Sequence, residues 1–76
     1  MSFEHFDVIL QELMHRVPFR AFTIELYGGE LFEIDHPRAL FFQDGVAVFL
    51  APGSLRVIID HDSVLKIIDA SRSLIS

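Results

Sequence analysis

Apolar residues recur at helical spacing from residue 3 to residue 17, and at a spacing of two from there on. Phe6, Leu10, Leu13 and Val17 stand at i, i+4, i+7 and i+11, and Phe3, Ile9 and Met14 widen the stripe. Glu4, His5, Gln11, Glu12 and His15 fill the other side. The pattern predicts a helix over residues 3–16. Ser2 suits the N-cap, and Glu4 and Asp7 fall in the first turns, where the helix dipole favours acids. Pro18 disfavours helical geometry at the residue before it, so the helix ends by Arg16 or Val17.

From Phe19 the period is two. Phe22, Ile24 and Leu26 face one way with Thr23 and Glu25 opposite, and Phe32 and Ile34 face one way with Glu33 and Asp35 opposite. A two-residue Gly28-Gly29 turn would set Ile24 against Glu33, placing an acid opposite a core residue. An odd loop keeps the faces matched. The expected loop is Gly28-Gly29-Glu30 with a glycine bulge, which pairs Leu26 with Phe32 and Ile24 with Ile34.

His36-Pro37 breaks the second strand. Residues 39–43 and 46–51 then form a hairpin across Asp44-Gly45, a two-residue turn signal. Leu40, Phe42, Ala47 and Phe49 share one side of it, and Ala39, Phe41, Val46, Val48 and Leu50 share the other. Both sides are apolar, so each needs cover. Pro52-Gly53-Ser54 turns the chain again, and Leu55, Val57 and Ile59 are expected to face inward. A tight turn over residues 61–64 leads to a last short strand over 65–69. Its alternative is a C-terminal helix from Ser63 with Val64, Ile68 and Ile75 on one side. The β-branched density of Val64, Ile67 and Ile68 favours the strand.

An N-terminal helix followed by five or six short antiparallel strands is an α+β, mainly β, single domain. Its order resembles an Sm-like or SH3-like small barrel, and closing the sheet would remove exposed edges. "PFRAFTIELYGGELFEIDHP", residues 18–37, resembles a group of short bacterial proteins, abundant in planctomycetes, whose function is uncharacterised. They share a Pro-Phe-x-x-Phe-x-Ile-x-Leu-x-x-Gly core followed by His-Pro, and Pro18, Phe19, Phe22, Ile24, Leu26, Gly29, His36 and Pro37 match it. The resemblance implies a single small β-rich domain and brings no activity with it.

Composition narrows the function classes. At 76 residues the chain lies near the lower limit for folding on a core alone, where a disulfide, a metal or a partner subunit commonly adds stability. There is no cysteine, which excludes disulfides and fits a reducing cytoplasm, the expected location. The N-terminus carries acids where a secretory signal carries bases. No apolar run reaches the roughly 18 residues a membrane span requires. Formal charge is −5, and the six bases stand singly. An Sm-like nucleic-acid binder needs clustered positive charge and is disfavoured, as is an anionic membrane surface.

The histidines are the chemical handles. His5 and His15 fall on the helix's wet side. "DHP" at 35–37 and "DHD" at 60–62 each sit at a strand end. If the two ends shared one rim, His36, His61, Asp60 and Asp62 would converge as a metal or acid-base site, since imidazole and carboxylate both ligate divalent ions. Asp, His and Pro are also ordinary turn residues. On that reading, replacing His36 and His61 by Asn leaves folding largely intact and metal content unchanged. No phosphate loop, nucleophile elbow or zinc-protease motif is present, so no cofactor and no enzyme activity are expected. The expectation is a self-associating protein-interaction module, most simply a dimer, with Leu40, Phe41, Phe42, Val46, Val48 and Leu50 at the interface.

Overall fold

The computed structural model describes residues 1–69. Helix α1 spans Phe3–His15, and Ser2 caps it by accepting the His5 N–H on its hydroxyl at 3.2 Å. Arg16 is already extended, one residue before Val17, the position that Pro18 bars from helical geometry. Phe6 and Leu10 are fully buried, but Val17 lies beyond the helix end and is 94% exposed, so it leaves the expected stripe.

Six antiparallel strands follow among the described residues: β1 Phe22–Leu26, β2 Leu31–Ile34, β3 Leu40–Gln43, β4 Val46–Ala51, β5 Leu55–Asp60 and β6 Val64–Ile68. They form two three-stranded sheets, ordered β2-β1-β6 and β3-β4-β5. The α+β, mainly β reading holds, but the strands do not close into one barrel. The chain changes sheet at two breaks. Pro37 cannot donate a ladder hydrogen bond, and a turn closed by Ala39 N–H to the His36 carbonyl separates β2 from β3. A 3-10 turn at His61–Ser63 separates β5 from β6. Residues 64–68 form a strand, β6, as expected; Ile75, cited for the helical alternative, lies outside the described residues.

The first hairpin has the expected odd loop and matched faces, with its register moved by two residues. Phe22 stands opposite Ile34 and Ile24 opposite Phe32, in place of Ile24 opposite Ile34. The loop is Tyr27-Gly28-Gly29, closed by Leu26 N–H to the Glu30 carbonyl and Gly29 N–H to the Leu26 carbonyl. A three-residue loop needs positive φ at its last residue, and Gly29 supplies +94°. The expected loop would have put Glu30 there, at a steric cost. The second hairpin follows expectation. Asp44 and Gly45 have φ of 53° and 80°, so both turn residues are left-handed, and Leu40 pairs with Phe49.

The two sheets and the helix enclose one cluster of buried side chains. Phe6 and Leu10 come from α1; Phe22, Ile24, Ile34 and Val64 from the first sheet; Leu40, Ala47, Phe49 and Ile59 from the second. On β5 only Ile59 of the three expected inward residues is fully buried; Val57 is half-buried and Leu55, beside the 52–54 turn, is 63% exposed. The helix packs on β3 and the 61–63 turn. Asp7 accepts the Gly45 N–H at 3.0 Å. At the far end of α1 the Arg16 guanidinium grips Asp69 at 2.8 and 3.1 Å and donates to the Arg20 carbonyl. The Asp69 hydrogen bond pushes the Arg16 pKa further up from its ordinary value, which fixes the charge.

Candidate functional site

Two features carry side chains that the fold itself leaves unused or brings together: the Asp60–His61–Asp62 turn and the outer face of the second sheet. The turn begins where β5 ends. Asp60 accepts the Asp62 N–H at 3.0 Å, an ordinary cap on a single 3-10 turn. His61 Nδ1 lies 2.9 Å from the Met1 carbonyl, and because a carbonyl only accepts, that nitrogen carries the proton. The Met1 ammonium in turn donates to the Val64 and His61 carbonyls, at 3.0 and 3.3 Å. The imidazole stands edge-on to Phe3 with ring centroids 5.8 Å apart. His61 thus pins the chain start to the β5–β6 junction.

The sequence-predicted cluster does not assemble as a whole. Asp60, His61 and Asp62 offer ligand atoms within 4.8 Å of one another. His36 sits elsewhere. Ladder contacts place Gly45 beside His61 at one end of β4 and Ala39 beside Leu50 at the other. A six-residue strand therefore separates the two histidines' ends of the sheet, roughly 17 Å at an ordinary rise. At its own end, His36 Nδ1 accepts the Arg38 N–H at 3.1 Å and serves the turn. His5 and His15 are exposed, as expected.

His61 is thus a tertiary contact, which revises the expectation that its loss is harmless. His61→Ala is expected to lower stability by about 1–3 kcal/mol, from one hydrogen bond and the ring contact with Phe3. Urea unfolding followed by far-UV circular dichroism measures it. His36→Ala, which loses a local turn bond only, is expected to cost under about 1 kcal/mol. Equal costs at the two positions would show that the Met1 tether adds nothing.

The second sheet's outer face is apolar across three strands. Phe41 is 58% exposed, Ile58 72%, Leu50 42% and Val46 38%, with Val48 half-buried among them. The first sheet's outer face differs. Thr23, Glu25 and Glu33 lie there with Lys66, whose ammonium is 3.7 Å from Glu25, and the exposed Leu31 and Ile68 are set among them. Among the expected interface residues, Leu40 is only 3% exposed and belongs to the core, and Phe42 packs partly against it. Phe41, Val46, Val48 and Leu50 do share the open face. Ile58 joins them without having been singled out, although its outward position follows from the inward Ile59 beside it. A shallow depression of about 270 Å³ lies over Phe41, Gln43, Val46 and Val48.

Comparison with protein-family models, with curated proteins and with solved structures returns no match to this chain. No helix among the described residues is long and apolar enough to cross a membrane.

Proposed function

We propose that this chain is a small cytoplasmic, non-enzymatic module that self-associates through the outer face of β3-β4-β5. One observation carries the reading: one sheet's outer face mixes Thr23, Glu25, Glu33 and Lys66 with Leu31 and Ile68, whereas the other sheet's carries Phe41, Val46, Val48, Leu50 and Ile58 as a contiguous apolar group. Burying one such side chain fully stabilises by roughly 1.5–3 kcal/mol. A 76-residue domain has a total stability of only about 4–11 kcal/mol, so covering several together is a large gain. The helix cannot supply that cover, because Phe6 and Leu10 already hold it to the opposite, inner side of the sheets. The lack of cysteine fits a reducing compartment.

Light scattering coupled to size exclusion tests the proposal. The expected mass is twice that of the 8.7 kDa chain at micromolar concentration, with dissociation on dilution. A folded protein that stays at one chain's mass up to millimolar concentration would refute it.

A second reading, a divalent-metal or acid-base site, is supported by the convergence of Asp60, His61 and Asp62. It has less to work with: His61 Nδ1 is engaged by Met1, and Asp60 Oδ1 already caps the turn.

A further inference from the structure

The register of the second sheet places side chains on its outer face in rows that run across the strands. Leu50 stands beside Arg56 in one row, and Phe41, Val48 and Ile58 fill the next. Val46 stands beside Asp60 in the third. The middle row is wholly apolar, and on β5 it is flanked by one base on one side and one acid on the other.

That arrangement is self-complementary. Consider a second copy laid face to face on the first, related by a twofold axis running along the middle row. Strand direction reverses, so the Phe41–Val48–Ile58 row rests on its own counterpart. Leu50 of each copy meets Val46 of the other, and Arg56 of each meets Asp60 of the other. A twofold contact demands such pairing, because whatever residue i offers to j must be returned by j to i. We propose that the partner at this face is a second copy of the chain, docked about this axis, with two Arg56–Asp60 ion pairs at its rim. The inference rests on the self-association proposed above and adds the geometry.

Area agrees with the assignment. Four of the five apolar side chains are between 38% and 72% exposed, a patch on the order of a few hundred Å², and the exposed Gln43, Arg56 and Asp60 at the rim enlarge the face. A standard interface buries about 800 Å² per partner, and in homodimers about 65% of it is apolar. Aligned stacking of two twisted sheets about 10 Å apart, crossed near 30°, is a familiar way to bury two such faces. Charge agrees too. Arg56 is exposed and has no ion pair or hydrogen bond among the described residues, and the Asp60 side chain is 56% exposed beyond its cap.

Charge exchange between copies tests the axis. Arg56→Asp sets an acid against Asp60 twice in each dimer, so its dissociation constant is expected to rise about tenfold or more, and less at high salt. Asp60→Arg sets a base against Arg56. The first variant carries acids at both positions 56 and 60, and the second carries bases at both. Mixing them restores opposite charges across the axis, so a heterodimer is expected where neither variant dimerises well alone. Phe41→Asp, which leaves the Asp60 cap untouched, is expected to give folded monomer by scattering and circular dichroism. If Asp60→Arg loses its turn and fails to fold, Arg56→Asp and Phe41→Asp still decide the matter.

The outcomes separate. A dimer weakened by Arg56→Asp but indifferent to Phe41→Asp would mean that β5 pairs edge to edge, which overturns the stacked geometry. A wild-type dimer broken by Phe41→Asp but indifferent to Arg56→Asp would keep the proposed face and overturn this axis, and indifference to both would place association on another surface and overturn the face as well. A wild-type chain that never dimerises would remove both.

Discussion

Phe6→Ala is expected to leave a chain that is largely unfolded at 37 °C. Phe6 is fully buried in the second turn of α1 and lies in the same core cluster as residues from both sheets. Truncating a buried Phe costs about 3–5 kcal/mol, the lost transfer energy plus the cavity left behind. Against a total near 4–11 kcal/mol, that is about half of the stability at mid-range and nearly all of it at the lower end. Without its anchor the helix retains only Leu10 as a fully buried residue, together with the Asp7–Gly45 hydrogen bond. Val8 on the same helix is 56% exposed, and Val8→Ala is expected to stay within about 0.5 kcal/mol of wild type. Far-UV circular dichroism in urea, at one fixed protein concentration, compares the two. Similar midpoints for Phe6→Ala and Val8→Ala would mean that the helix is not docked through Phe6.

The parts of the fold legible in the sequence are those fixed by neighbours along the chain. Ser2, the apolar stripe and Pro18 set the helix because caps, period and a proline all act within a few residues. Asp44-Gly45 set their hairpin because a two-residue turn with both φ positive suits few residue pairs, and the observed angles of 53° and 80° are those values. The first hairpin is half legible. Face matching demands an odd loop, but two odd loops satisfy it, and the choice rests on which residue must be left-handed. Gly29 answers that and Glu30 does not.

What lies beyond the sequence depends on pairing between distant segments. The β1–β6 ladder joins residues about 40 apart, and nothing local announces it. Whether the sheet closes depends on how far the chain swings at His36-Pro37 and at His61–Ser63, which a list of turn residues does not specify. The fate of the histidines follows from the same unknown. His36 and His61 both sit at strand ends, yet the ladders put those two ends at opposite edges of one sheet. On the outer face, the apolar character of Phe41, Val48 and Leu50 is visible as alternation. Alternation also sets Arg56 and Asp60 on either side of Ile58, but only the register shows that Ile58 lines up with Val48 and Phe41 in one row.

Gly45 is the position where local conformation and tertiary packing coincide, and its replacement separates the two. Gly45→Ala and Gly53→Ala both place a Cβ on left-handed backbone in a hairpin turn, at φ of +80° and +83°. The conformational cost is similar at each, about 1–2 kcal/mol. Around Gly53 there is open space. At Gly45 the added carbon would stand 2.7 Å from Phe3 Cδ2 and 2.8 Å from His61 Cδ2, closer than real carbon contacts come. One of those rings must move, and each is tied down. His61 is held by the Met1 carbonyl, and Phe3 opens the helix whose Asp7 accepts the Gly45 N–H. Gly45→Ala is therefore expected to cost about 2–4 kcal/mol and Gly53→Ala about 1–2, both measured by urea unfolding at the same protein concentration. Pairing His61→Ala with Gly45→Ala removes one of the obstructing rings, so the double variant is expected to be more stable than the sum of its single losses predicts. Strict additivity, or equal costs at the two glycines, would show that the chain start and the 61–63 turn do not press on the β3–β4 hairpin.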